Sequence, residues 1–266
     1  MATNLVKEAM QKHIPNIFLL KKSEPRWKDI EVLIDSVYQE RKAKKEMGEE
    51  IIIVNQLHYN FFDVLHLAET GDLLSLSMLE YFNIVFGELI KKISQEYRHR
   101  LGKTIDKILQ TPMPNYIDHI GELLVLDAIL STGMFKLIGV EERIGDRKFA
   151  DFCFEEIKTG EKYYVEVYNR HITEGNSDVA KLRDKLLEKK EDKTQNMNDI
   201  NFKIVPVLWP EKFEDLKQLE DEIRKWEGFE IEQIFEPFAF HVVFEKDKPS
   251  YRFWRISNIY KNRKTK

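Results

Sequence analysis

Phe149-Ala150-Asp151-Phe152-Cys153-Phe154 and Tyr163-Tyr164-Val165-Glu166-Val167-Tyr168-Asn169-Arg170 are two apolar runs, each interrupted by one acid. Alternation with period two predicts strands and puts Phe149, Asp151 and Cys153 on one face of the first. On the second, Tyr164, Glu166 and Tyr168 share a face, while Val165 and Val167 point the other way. Thr159-Gly160 supplies a turn, which pairs the strands antiparallel and brings Asp151 near Glu166. An acid inside an apolar strand is costly to bury without a partner. Two neighbouring carboxylates repel unless one is protonated or a cation bridges them. For oxygen ligands with open water positions the usual cation is Mg²⁺.

Working outward, Asn115 to Thr132 is a predicted helix with a broad apolar face, stopped by Gly133. Ile120-Gly121-Glu122-Leu123-Leu124 places Glu122 on it, and packing on the sheet would aim that acid at the same point. Leu137 to Val140 is a short apolar run before a Gly145-Asp146 turn. Ser177 is a candidate cap for a helix to about Lys190, with Val179, Leu182 and Leu186 as its apolar stripe. Ile200 to Leu208 reads as a strand, and Pro206 within it argues for an edge or a strand end. Glu211 to Trp226 reads as an amphipathic helix. Phe238 to Glu245 and Tyr251 to Ile256 read as a hairpin around Asp247-Lys248-Pro249-Ser250. Helix, three strands, helix, strand, helix and hairpin indicate an α/β or α+β sandwich.

Residues 1–110 have a different grammar and read mainly as helix. Lys28 to Met47 is one amphipathic segment, and Asp72 to Arg100 a long, strongly apolar one. Ile51 to Val54 is a short apolar run of strand or buried-helix type. Thr111-Pro112-Met113-Pro114 breaks the pattern, since two prolines disfavour helix there. The expected domains are therefore 1–110, helical, and 111–266.

The acids and their order across residues 115–245 resemble the PD-(D/E)xK nuclease superfamily. Glu122 matches the family's helical acid. Ala150-Asp151 matches Pro-Asp, with alanine for proline. Glu166-Val167-Tyr168 matches Glu-x-Lys, with tyrosine for lysine. The resemblance implies a restriction-endonuclease-like mixed sheet flanked by helices. It also implies a Mg²⁺- or Mn²⁺-dependent nuclease with Asp151, Glu166 and Glu122 as metal ligands. Tyr168 can donate a hydrogen bond but, with a pKa near ~10, brings no positive charge. Three readings stay open: a lysine from another element fills in, the metal alone suffices, or the domain is an inactive binding module. Lys185, beside the Leu182/Leu186 stripe, is the first choice for a replacement that stabilises charge on the phosphorane. Lys181 is second, and Lys162 lies ~13 Å along the strand from Glu166. His171 is a candidate secondary proton carrier. Each acid also has an ordinary alternative. Glu122 would face solvent, Asp151 would pair with Arg147 or Arg143, and Glu166 would bridge to a lysine across the sheet.

Composition narrows the partners. Net charge is −4 with 33% charged residues, so nucleic-acid binding has to come from local patches. Tyr251 to Lys266 carries Arg252, Arg255, Lys261, Arg263, Lys264 and Lys266, without an acid, among Phe253, Trp254 and Tyr260. Cations with aromatics suit phosphate contacts and base stacking. Lys91 to Lys107 is a second basic cluster. DNA is the expected partner ahead of RNA, and a two-fold dimer would duplicate the site for two strands. The single Cys153 rules out a disulfide framework and Cys-rich zinc sites, and the seven histidines show no HExxH spacing. Without a signal-peptide pattern or a run of about 18 apolar residues, the expectation is an intracellular, cytoplasmic protein off the membrane.

Overall fold

The computed structural model describes residues 3–21, 23–47, 57, 59–111, 114–173, 179–195, 200–211, 216, 236–246, 248–256 and 258. Five helices come first: α1 (Thr3–His13), α2 (Trp27–Glu46), α3 (Phe61–Glu69), α4 (Leu73–Lys92) and α5 (Gln95–Gln110). Then follow α6 (Tyr116–Leu130), β1 (Phe135–Gly145), β2 (Lys148–Glu156), β3 (Lys162–Ile172), α7 (Val179–Thr194), β4 (Asn201–Pro210), β5 (Phe238–Glu245) and β6 (Lys248–Arg255). The strands form one six-stranded sheet in the order β1-β2-β3-β4-β5-β6. β1–β2 and β2–β3 are antiparallel, whereas β3–β4 and β4–β5 are parallel, with α7 in the crossover between β3 and β4. The chain is thus α/β, with a mixed sheet and helices. The expected helix at Glu211–Trp226 and the run Ile51–Val54 lie outside the described residues, apart from Glu211 and Leu216.

The chain divides into two compact units: residues 1–120 with 243–251, and residues 121–242 with 252–266. The division falls inside α6, ten residues beyond the expected boundary at 110. In the helical unit Met10, Ile14, Ile17, Leu20, Phe61, Phe82 and Phe86 are fully buried. In the second unit Leu182 and Leu186 of α7 close over Phe202, Ile204 and Leu208 of β4, with Tyr164 and Tyr168 packed alongside. A fully buried leucine contributes about 2 kcal/mol by area, so α7 is fixed to the sheet by these two side chains more than by helix propensity.

Three expectations are corrected. The long helix over Asp72–Arg100 is two helices, broken at Ile93 and Ser94, whose backbones are extended. Arg98 reaches back over the break, donating to the carbonyls of Ile93 (3.1 Å) and Ile90, so one of the end carbonyls of α4 is satisfied by a side chain. Pro206 is neither at an edge nor at an end. β4 pairs with β3 along its whole length but with β5 only at Val207 and Leu208, so no ladder on the β5 side requires an N–H from Pro206. The hairpin turn comes earlier than Asp247–Ser250: Lys246 takes φ +50° and β6 already begins at Lys248. Pro249 is tolerated because β6 is the outer strand.

Among the described residues one helix, α4, is long and apolar enough by length and composition to cross a membrane. Glu80 and Glu88 interrupt it, which is why no unbroken apolar run is visible in the sequence. Its Met78, Leu79, Phe82, Val85, Phe86 and Leu89 are buried while Leu73 and Ile84 are exposed, the pattern of a helix with one face on a core.

Candidate active site

The β2–β3 hairpin sets the site. Gly160 adopts φ +75°, a conformation that a side chain would strain, and its N–H bonds the Glu156 carbonyl at 2.8 Å. Register then follows: Glu155 opposes Lys162, Cys153 opposes Tyr164, and Phe152 opposes Val165. Pairing stops there, one step short of Asp151 and Glu166. Instead the Asp151 side chain takes over the backbone's role, its Oδ2 accepting the Val167 N–H at 2.7 Å. The two strands therefore part where the acids stand, and side-chain chemistry replaces the ladder.

Glu166 is buried, at 6% exposure. Burying a lone carboxylate is costly, and two lysines of α7 compensate it. Lys189 Nζ lies 2.8 Å from Oε1, and Lys193 Nζ lies 3.0 Å from Oε2. Lys189 also stands 5.3 Å from the centroid of the Tyr168 ring, over its face. Lys193 donates in addition to the Phe149 carbonyl at 2.5 Å. Lys148 of β2 in turn donates to the Asp192 carbonyl, so crossed lysine–carbonyl bonds tie the end of α7 to the start of β2.

The lysine expectation is corrected. Lys185 and Lys181 are exposed on α7, while Lys189 and Lys193 meet Glu166. The signal was present in the spacing. Leu182, Leu186, Lys189 and Lys193 follow one another at steps of four, three and four, a single helical face. Lys185 is turned about 100° from Leu186 and about 60° from Leu182, on the flank of that face. The expected lysine bridge to Glu166 exists too, but it comes from a helix and not from a neighbouring strand.

Asp151 is the electrostatically extreme group. Burial, then the charges of Glu122 and Glu166, push its carboxyl up to about 8, against the pull of the Val167 N–H and of Lys189. Glu122, half-buried on α6, is thus within electrostatic reach of Asp151, and the three acids share one neighbourhood. The arginine alternative for Asp151 does not arise through Arg143, which bonds the Gly145 carbonyl and lies 3.4 Å from Asp146. The turn of α6 before Glu122 is seated by Gly121. A Cβ there would collide with the Asn169 amide and come within 3.2 Å of the Trp209 ring. Trp209 Nε1 donates to Asn169 Oδ1 at 2.9 Å, so the pair forms a fixed platform under that turn. Sequence reasoning missed both residues, because an asparagine within a strand carries no signal of its partner.

Carboxylate oxygens are the donor type that Mg²⁺ or Mn²⁺ takes, and an acid kept from ionising by its neighbours is the electrostatic mark of a cation site. Among the described residues, however, no three His, Cys, Asp or Glu side chains stand where one metal ion would touch them all. Donor chemistry fits a hard dication. The side-chain positions are those of a form in which lysines neutralise Glu166.

The remaining candidates are placed as follows. His171 is half-buried near the end of β3. Cys153 is buried and its thiol is raised to about 11 by burial and by Glu142, which excludes a thiolate nucleophile at neutral pH. Arg252 and Arg255 belong to β6 and not to a tail. The Arg255 guanidinium stands 5.8 Å from the Phe238 ring centroid, and Phe253 is buried, stacked on Phe238 at 4.9 Å. Phe253 is therefore core and not a platform for a base. Lys261 and Arg263 lie outside the described residues. In the second basic cluster Lys91 pairs with Glu88 at 2.7 Å and Arg100 with Glu96 at 3.2 Å. Comparison with protein-family models, with curated proteins and with solved structures finds no match to this chain.

Proposed function

We propose that this chain is a divalent-metal-dependent nuclease of the PD-(D/E)xK type that hydrolyses phosphodiester bonds, with DNA as the substrate ahead of RNA. The observation that carries the reading is the meeting of Glu122, Asp151 and Glu166 with a lysine, Lys189, on the last of them. The order α6-β1-β2-β3-α7-β4, with antiparallel β1–β3 and a parallel β4 after the α7 crossover, supports a restriction-endonuclease-like core. A bound Mg²⁺ or Mn²⁺ would supply a water of lowered pKa and a Lewis acid for the scissile phosphate.

The protein's own groups have separate tasks. Asp151 and Glu166 offer carboxylate oxygens from adjacent strands, and Glu122 adds a third from α6. Asp151 keeps its proton near neutral pH until a cation offsets its neighbours. Lys189 takes the part that the motif lysine plays in the family. Its ammonium is oriented by Glu166 Oε1 and the Tyr168 ring, and it stabilises negative charge on a phosphate oxygen. Tyr168 thus supports the replacement lysine and does not substitute for it chemically.

The test is cleavage of plasmid DNA and of RNA with Mg²⁺ or Mn²⁺, compared with Asp151→Asn and Glu166→Gln. Metal-dependent cutting lost in both variants is expected. Cutting that survives both substitutions, or none with any metal, rejects the reading. The second reading, an inactive nuclease-like module that binds nucleic acid, is favoured by the double lysine pairing of Glu166 and the lack of a three-ligand metal group among the described residues. Binding of DNA without cleavage, unaltered by the same substitutions, selects it.

A further inference from the structure

The two lysines on Glu166 are not equivalent. Lys189 lies more than a turn before the end of α7, holds Oε1, and is seated on the Tyr168 ring. Lys193 lies in the last turn and holds Oε2 and the Phe149 carbonyl. A carboxylate oxygen plus a backbone carbonyl is an oxygen pair of the kind a divalent cation takes. A single ammonium is the cation there now.

We propose that Lys193 is a resident counterion that has to leave the Glu166–Phe149 oxygen pair for a divalent cation to enter, so that metal loading releases the last turn of α7 from β2. This inference rests on the metal-dependent reading of the site. Charge balance supports it. With the metal bound, the carboxylates of Glu122, Asp151 and Glu166 carry three negative charges. A dication added to both lysines overshoots by one, and withdrawal of one lysine restores neutrality. Lys193 is the one that can go. Its side chain is 25% exposed, and its flexible four-carbon stem lets the head move into water while the stem stays on apolar surface. Lys189 is held by ring and carboxylate together. Loss of the Lys193 bonds to Glu166 and Phe149 still leaves the bond from Lys148 to the Asp192 carbonyl between these two elements, so the helix end loosens without leaving the sheet.

The test is Mn²⁺ binding to the full chain, read from the loss of the free-ion electron paramagnetic resonance signal. Lys193→Met keeps the stem and removes the charge. It should bind Mn²⁺ about tenfold or more tightly than the unsubstituted protein, a modest share of what one unit charge exerts at this range. Lys193→Arg keeps a cation and should bind no more tightly than the unsubstituted protein. Lys190→Met removes an exposed charge one turn away and should leave affinity unchanged. The Asp151→Asn variant localises the ion to this site. If the unsubstituted protein binds Mn²⁺ and Lys193→Met binds it no more tightly, the counterion role is wrong and the metal reading stands. If Lys190→Met gains as much as Lys193→Met, the gain is a general charge effect and the counterion role is again wrong. If no variant binds Mn²⁺, both fall together. Binding by Lys193→Met alone supports the counterion role in its strongest form.

Discussion

Lys189 Nζ lies 2.8 Å from Glu166 Oε1 and 5.3 Å from the centroid of the Tyr168 ring. On the proposed nuclease reading this ammonium is the cation that faces the scissile phosphate. Lys189→Met should therefore lower DNA cleavage by about 100-fold, the usual cost of removing one group that stabilises transition-state charge. Lys189→Arg should lose most activity as well, since a planar fork does not reproduce a point charge over a ring. The decisive variant is the double substitution Tyr168→Lys with Lys189→Met, which puts the cation back on β3. Partial recovery over Lys189→Met alone is expected in single-turnover assays. No recovery, with the fold intact by circular dichroism, would mean that Lys189 serves only to neutralise Glu166.

Much of this arrangement was readable in the chain, and the reasons are local. Asp151 and Glu166 each interrupt an apolar strand, and Gly160 fixes the turn, so their proximity follows from period-two geometry and a short hairpin. Extending the Leu182/Leu186 stripe by helical steps would have reached Lys189 and Lys193. The choice of Lys185 failed because adjacency in sequence was weighed above the 3.6-residue period. Other features had no local signal. Nothing near Asn169 announces Trp209, forty residues on, and only the parallel β3–β4 pairing brings them together. Phe253 looked like a stacking platform because an aromatic beside arginines reads the same whether it faces solvent or Phe238. The break at Ser94 did have a local signal: Lys91-Lys92 precede it and Gln95-Glu96 follow it, where the apolar run ends.

Asp151 makes stability depend on pH in a definite direction. Its folded carboxyl is raised to about 8, above the value near ~3.9 of an unfolded chain. Between those values the unfolded chain has released a proton that the folded chain still holds. Stability therefore falls as pH rises through this window and levels off above it, with a slope of at most ~1.4 kcal/mol per pH unit from this group. Asp151→Asn retains an acceptor for the Val167 N–H and cannot ionise. Urea unfolding of both proteins from pH 4.5 to 8.5 should show the variant gaining on the parent as pH rises. A difference that stays constant with pH would show that Asp151 titrates near its ordinary value.

Gly121, Asn169 and Trp209 act as one unit. Gly121→Ala forces its methyl into the Asn169 amide and should cost about 2 kcal/mol, in the range for overpacking a close contact. Asn169→Ala leaves the Trp209 indole N–H buried without its acceptor, at a cost of roughly 1–3 kcal/mol. The same truncation opens the space that the Gly121→Ala methyl needs. The double variant should then be less destabilised than the sum of the singles, by ~1 kcal/mol or more. Additive costs in a denaturation cycle would show that Gly121 is dictated by something other than Asn169.

The helical unit carries a polar commitment of its own. Arg41 grips Asp63 through two bonds, Nη1 to Oδ1 at 2.8 Å and Nη2 to Oδ2 at 2.5 Å. Asp63 is buried, and its own N–H bonds the Asn60 side chain at the start of α3. The guanidinium is stabilised in its charged form by this pairing, against the cost of burial. Asp63→Ala strands an arginine that is partly withdrawn from water and should destabilise the protein by about 3 kcal/mol, at the low end for a broken buried pair because Arg41 retains some solvent. Replacing both partners, Arg41→Met with Asp63→Leu, removes the desolvation cost along with the attraction. That double variant should recover at least half of the loss in thermal or urea unfolding. If it is as unstable as Asp63→Ala, the pair holds α2 against α3 by its geometry, and apolar contact of similar volume does not replace it.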